Sequence, residues 1–282
     1  HAHFVLAHPE PKSFSGHLVR SGSSALETAG WTVSVSDLYA LGFDPCERPG
    51  HYAQRADEDR FDVQAEQRHS SEIGALPEEV GDELALMDRA DLLILQYPMW
   101  WHLPPAMLKG WFDRVLVYGD AYTSAKRFEN GRFAGKCAML SVTVGTNRET
   151  YAHDGRSGDI DLMLWPVNFS LAYVGYTVLE PFVAYGVEAG LRYSDPATIR
   201  TRLEGIVADF CAALPKAGQR ATIPFNRKAD WGPDGRIVPE APVYSPFAAE
   251  GGISFWNDTG RPYRGSTSSL ATTPCSRGSG AG

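Results

Sequence analysis

The segment from Gln96 to Val115 (Gln-Tyr-Pro-Met-Trp-Trp-His-Leu-Pro-Pro-Ala-Met-Leu-Lys-Gly-Trp-Phe-Asp-Arg-Val) concentrates more chemistry than any other part of the chain. The apolar run Leu92 to Leu95 reads as the end of a buried strand. Pro104 and Pro105 read as a helix entrance, because proline suits a first turn in which its missing N–H would have no partner. Between them stand Trp100, Trp101 and His102. Two adjacent indoles at a strand end seldom both bury well, and the C-terminal ends of strands in an α/β alternation are where open sheets bind ligands. These rings suit one wall of a site for a flat aromatic ligand, with the amides of Met99 to His102 at its polar edge. The competing reading is ordinary aromatic packing.

Two other loops carry compatible chemistry. In Ala7-His-Pro-Glu-Pro-Lys-Ser-Phe-Ser-Gly-His17, the residues Lys12, Ser13 and Ser15 fall where a helix begins. Free amides and the helix dipole make that an anion site, unless Ser13 or Ser15 is simply an N-cap. The loop is neither a Walker loop nor G-x-G-x-x-G, and His8 taken alone reads as a satisfied histidine. In Thr143-Val-Gly-Thr-Asn-Arg-Glu-Thr-Tyr151 and the following Ala-His-Asp-Gly-Arg-Ser-Gly-Asp159, Gly145 permits close backbone approach. Thr143, Thr146 and Tyr151 are donors there; a polar surface loop is the alternative. A phosphate cradle, a ring wall and donors for a ring edge are together what a flavin needs.

The elements that must position these loops alternate strand and helix. Strands are expected at 3–7, 31–35, from 92, at 137–142 and at 177–183; helices at 15–29, 77–87, 104–117, 161–174 and 196–214. A long polar loop is expected over 40–76. Five apolar strands with helices between them imply a parallel sheet covered on both faces. The expected fold is a flavodoxin-like doubly wound five-stranded sheet over 1–214. An irregular, proline-rich extension covers 215–247, packing on the domain or a dimer partner. Residues 248–282, rich in Gly, Ser and Thr, read as a disordered tail.

The 282 residues are 43% hydrophobic and 21% charged, with net charge −8. That balance, without a basic stripe, argues against nucleic acid and anionic membranes. No apolar run approaches the roughly 18 residues of a membrane span. Four scattered cysteines without a C-x-x-C pair suggest a reducing compartment, no zinc site and no disulfide framework. With a first strand starting almost at once, no signal peptide and a cytoplasmic location are expected. No metal site is expected.

The chain resembles the NAD(P)H:quinone oxidoreductase (DT-diaphorase-like) family, especially its bacterial members. Leu6-Ala-His-Pro-Glu10, Ser13-Phe14, Gly30-Trp31, Ser36-Asp-Leu-Tyr-Ala40, Phe43-Asp-Pro45 and Ala90-Asp91 carry the likeness. So do Pro98, Trp101, Pro105-Ala106, Leu108-Lys-Gly-Trp-Phe112, Ala121-Tyr-Thr123, Leu164-Trp-Pro166 and Val178-Leu-Glu-Pro181. The resemblance implies FAD, with FMN the lesser choice, at the interface of a homodimer, and ping-pong hydride transfer from NAD(P)H through flavin to a quinone. It implies His8, Ser13, Phe14 and Ser15 on the pyrophosphate and adenylate side, and Pro98, Met99, Trp100, Trp101 and His102 along the ring. Thr143, Gly145, Thr146 and Tyr151 meet its other edge, and Tyr122 of a second subunit covers the substrate.

Two departures from the family pattern stand out. Ser157 replaces a histidine that, with Tyr151, steadies negative charge on the flavin in animal members; His153 or Arg156 could supply the charge instead. Trp100 replaces a smaller glutamine and Ser124 a tyrosine, so the substrate pocket is reshaped around Trp101, Tyr122 and Ser124. Two other readings stay open. One is a flavin reductase of nitro or azo aromatics or a biosynthetic quinone; the other is an ancillary flavoprotein of a potassium-efflux system.

Overall fold

The computed structural model describes residues 1–188 and 195–246. Its strands are β1 (Ala2–Leu6), β2 (Val33–Asp37), β3 (Leu92–Pro98), β4 (Cys137–Thr143) and β5 (Thr177–Ala184). All pair in parallel, in the order β2-β1-β3-β4-β5. The helices are α1 (Phe14–Thr28), α2 (Val63–Glu72), α3 (Glu78–Arg89), α4 (Ala106–Val115), α5 (Ile160–Tyr173) and α6 (Pro196–Ala213). This is the flavodoxin-like doubly wound order, and the direction in which successive strands are added reverses between β1 and β3, where such sheets open a crevice.

Every residue of β1, β3 and β4 is buried, which explains their near-continuous apolar sequences. Phe4, Ile94 and Met139 pack with α1 and α6 on one face. Val5, Leu93, Leu95, Leu140 and Val142 pack with α3, α4 and α5 on the other. Strand and helix positions agree with the sequence reading to within three residues, with two corrections. The loop expected over 40–76 contains α2, whose buried residues are Glu66, Gln67 and Ser70, so no apolar stripe announced it. Pro105 is the N-cap of α4 rather than part of its first turn. Cys46 and Cys211 are free thiols.

Helix α4 carries the aromatic turn, and its anchoring is unusually tight. A Cβ on Gly110 would lie 2.1 Å from the Pro45 carbonyl oxygen, so glycine is required there by close approach. Trp111 is fully buried and donates its indole N–H to Glu83 at 2.7 Å. The Glu83 carboxyl also accepts from Ser36 at 2.5 Å. Arg114, 2% exposed, donates to the Asp44 carbonyl at 2.9 Å and to Glu79 at 2.5 Å. Two sequence blocks, Phe43-Asp-Pro45 and Lys109-Gly-Trp-Phe112, are thus the two sides of one contact.

The extension after α6 caps the outer edge of the sheet. Glu180 N–H donates to Ala221 at 2.9 Å and Ile223 N–H to Val178 at 2.8 Å, occupying polar groups that an edge strand would leave unpaired. Phe225 then packs on Trp165 of α5 with ring centroids 4.8 Å apart. Buried Asn226 closes the extension by bonding Pro242 and Tyr244. The tail expected beyond 247 lies outside the described residues.

Candidate active site

After β3 the chain makes a two-residue hairpin. Trp100 and Leu103 exchange N–H···O bonds of 3.0 and 3.1 Å. Trp101 and His102 between them have φ of 53° and 64°. Two left-handed central residues define a type I′ turn, which ordinarily takes Asn-Gly. Holding two side-chain-bearing residues there costs about 1–3 kcal/mol each, and such strain gathers at functional sites. The rings are not repaid by burial, since Trp101 is 91% exposed and Trp100 42%. Trp100 meets His8 edge-on at 5.9 Å, joining the loops after β1 and β3 across the crevice. Met99 N–H donates to the Thr143 carbonyl at 2.9 Å, tying in the loop after β4.

The loop after β1 ends at the N-terminus of α1. Ser13 is the N-cap, accepting from Gly16 N–H at 3.1 Å. The amides of Phe14 and Ser15, the first two of the helix, precede any residue that can bond within it and remain available to an anion. The loop lies so close that a Cβ on Gly16 would meet the Pro11 carbonyl at 2.8 Å. His8 Nδ1 accepts from Glu10 N–H at 3.0 Å, which puts the ring proton of the neutral form on Nε2. Burial lowers its pKa, so it is neutral at pH 7. Ser15, buried, contacts the Thr143 hydroxyl at 3.4 Å. Beside this helix end, α1 and α6 bound a groove of about 550 Å³ lined by Phe14, His17, Ile199, Arg200, Leu203 and Val207. The apolar periodicity of α6 therefore serves a groove as much as a core, and only Phe210 of that helix is fully buried.

In the loop after β4, Gly145 is exposed and a Cβ there would meet nothing closer than 3.8 Å, so the fold itself does not demand glycine. Thr146 is held near the end of β5 by Gly186 N–H at 2.8 Å, and its hydroxyl is buried without a partner. Tyr151 lies 6.3 Å from the Tyr185 ring. Ser157 N–H donates to Thr150 at 3.0 Å, folding the 151–157 loop back on itself. His153 is exposed and 3.9 Å from Asp154; Arg156 is exposed. Among the described residues no group of three His, Cys, Asp or Glu is placed to hold a metal.

The flavodoxin-like fold family matches residues 1–204. NAD(P)H dehydrogenase (quinone) 1 of Cavia porcellus is 39% identical over 185 residues, spanning 65% of this chain and 67% of that protein. The chain belongs to the flavodoxin-like NAD(P)H:quinone oxidoreductase family. The ribosyldihydronicotinamide dehydrogenase (quinone) of Homo sapiens is 37% identical over 186 residues, 65% of this chain and 80% of that protein. Among solved structures, the NAD(P)H:quinone oxidoreductase of Methanothermobacter marburgensis aligns at a TM-score of 0.56 with 28% identity. It covers 77% of this chain and 94% of its own. A Klebsiella pneumoniae protein, provisionally a quinone reductase, aligns at 0.74 with 32% identity, covering 86% and 96%.

Of the residues that the family resemblance implied, the structure brings His8, Ser13, Phe14, Ser15, Met99, Trp100 and Thr143 together through the contacts above. Trp101 and His102 stand out from them on the turn. Tyr122 lies elsewhere in this chain, lining a second groove with Leu103 and Pro104. Ser124 is exposed beyond it. Sequence reasoning passed over Gln96 and Ser141, register partners on the α1 face of the sheet. Both are fully buried, and both amide atoms of Gln96 and the Ser141 hydroxyl lack partners. Buried orphan polar groups are rare and call for bound water or a polar guest. A glutamine interrupting Leu-Leu-Ile-Leu and a serine interrupting Cys-Ala-Met-Leu were the available signals.

Proposed function

We propose that this chain is a flavin-dependent NAD(P)H dehydrogenase acting on quinones, with FAD as its cofactor. The observation that carries this reading is the strained Trp101–His102 turn, which holds an uncovered indole at the crevice between β1 and β3. The redox chemistry, hydride acceptance from NAD(P)H and two-electron reduction of a quinone, would come from a bound flavin. The residues present fit that group. The free amides of Phe14 and Ser15 and the Nε2–H of His8 suit a pyrophosphate, and the orphan Thr146 hydroxyl suits a polar ring edge. Trp100 and Trp101, with Pro98, Met99 and His102, would flank the ring, and Thr143 and Gly145 would border it. The groove between α1 and α6 adjoins the phosphate end and has room for an adenosine moiety, which supports FAD over FMN.

Stacking fixes orientation, and orientation is most of what a protein adds to hydride transfer. Tyr151, with Arg156 or His153, would hold the negative charge that builds at the ring edge; Ser157 carries none. Replacing Tyr151 and Arg156 together is expected to slow NAD(P)H-dependent reduction by at least about tenfold. Unchanged rates would remove both from the role. Tyr122 and Ser124 would border the acceptor, with Tyr122 supplied across a homodimer. We assign residues 1–214 to the flavin-binding unit and place the enzyme in the cytoplasm.

The relatives divide by the donor in their names, NAD(P)H or ribosyldihydronicotinamide. The test is therefore oxidation of NADH, NADPH and dihydronicotinamide riboside by FAD-reconstituted protein, with and without a simple quinone. Oxidation that needs both flavin and quinone supports the reading and names the donor. Bound flavin that no donor reduces would overturn it.

A further inference from the structure

Residues Val117 to Tyr122 form a tight turn beside the aromatic hairpin. Ala121 N–H donates to Val117 at 2.9 Å and Gly119 N–H to Tyr122 at 2.9 Å. Gly119 has φ of 100°, and a Cβ there would lie 3.3 Å from the Arg68 Cα, so α2 presses directly on this turn. The Tyr122 ring packs on Tyr118 at 5.3 Å and on Tyr173 at 5.7 Å. It then faces a groove of about 550 Å³ bounded by Leu103, Pro104, Met163 and Pro166. Leu103 is the closing residue of the hairpin that displays Trp101, so the groove and the indole share one element.

One polar face of α2 holds that turn. Gln64, Gln67 and Arg68 stand at i, i+3 and i+4, neighbours on a helix surface. Gln67 is 4% exposed and its amide is fully used. Its oxygen accepts from Tyr118 N–H at 3.0 Å, and its nitrogen donates to the Asp113 carbonyl at 3.0 Å and to Glu47 at 3.3 Å. Arg68 donates to the Tyr118 hydroxyl at 2.9 Å and lies 4.8 Å over that ring. Gln64 donates to the Tyr122 hydroxyl at 3.4 Å. Only a primary amide supplies one acceptor and two donors in this arrangement. A carboxylate would lose both donors and face Glu47.

We propose that Gln67 is a positioning residue that sets acceptor size by fixing the Tyr118–Tyr122 turn. The proposal rests on the quinone-reductase reading above. Gln67→Met keeps the bulk of the side chain and removes all three bonds. In the FAD-loaded protein it is expected to change the ratio of kcat/KM for 2-methyl-1,4-naphthoquinone to that for 1,4-benzoquinone by about tenfold, the scale at which pocket shape discriminates. Arg68→Met is expected to move the ratio in the same direction by less, and it serves if Gln67→Met does not fold. Equal loss toward both quinones, or an unmoved ratio, would overturn the proposal. A second readout needs no turnover. In protein labelled with 3-fluorotyrosine, with Tyr122→Phe for assignment, the Tyr122 fluorine resonance is expected to shift in Gln67→Met. An unmoved resonance overturns the positioning role, whereas absent quinone turnover in the wild type overturns only the reading beneath it.

Discussion

Trp101 and Trp111 stand on one continuous segment and differ in every physical respect. Trp111 is fully buried, sits edge-on to Phe112 at 5.4 Å and spends its indole N–H on Glu83. Trp101 is 91% exposed and occupies a left-handed backbone position that a side chain rarely takes. The first indole stabilises the fold through area and a buried hydrogen bond. The second does neither and is held there at the expense of backbone strain. An aromatic residue is a candidate for chemistry when the fold leaves its ring uncovered, not because it is aromatic.

The contrast can be broken from either side. Trp111→Ala is expected to cost about 3–5 kcal/mol, as for other buried large-to-small changes, and to leave Glu83 without one of its donors. Urea denaturation would measure it, and a loss below about 1 kcal/mol would refute the anchoring role. Gly110→Ala belongs with it, because the added carbon collides with Pro45 backbone rather than a movable side chain.

A smaller effect comes from His3, fully buried beneath the same network. Burial, with a lesser push from the Arg89 charge and against the hydrogen bond at Ser34, lowers its pKa from 6.5 to about 4. The folded pKa lies below the unfolded one, so the unfolded chain binds more protons between those values. Stability contributed by neutral His3 is present above pH 6.5 and falls as pH drops toward 4, by about 3 kcal/mol at 1.36 kcal/mol per unit. Burial raises the Glu83 carboxyl, which tilts the profile the other way. The difference between wild type and His3→Gln isolates the histidine; parallel pH profiles would contradict the assignment.

The smallest effect sharpens the turn itself. His102→Gly should stabilise the protein by up to about 1 kcal/mol, since glycine accepts positive φ without the steric cost. A measurable loss would show that the imidazole, not the backbone, matters there.

Much of this was legible in the sequence. Among the described residues, the five strands and five of the six helices announced themselves through apolar runs, and doubly wound order followed from their alternation. The aromatic turn and both partner loops were readable because Trp-Trp at a strand end has few other uses. Most of what stayed hidden shares one cause: it is polar and buried. The inner face of α2 is Glu66, Gln67 and Ser70, which looks like loop to any test of hydrophobic period. Gln96 and Ser141 sit inside strands and register only as interruptions. The α1–α6 groove hid behind a helix whose apolar stripe looked like core until Ile199 and Leu203 were seen to border open space.

The most direct test is a titration of wild type and Trp101→Ala with FAD, with urea midpoints recorded on both. The account predicts Kd weaker by about tenfold or more in the variant, the scale of one lost stacking contact at 1–3 kcal/mol, with the midpoint unmoved. Equal affinity for FAD would contradict it. So would a variant that loses stability as Trp111→Ala does, since the exposed indole would then belong to the fold.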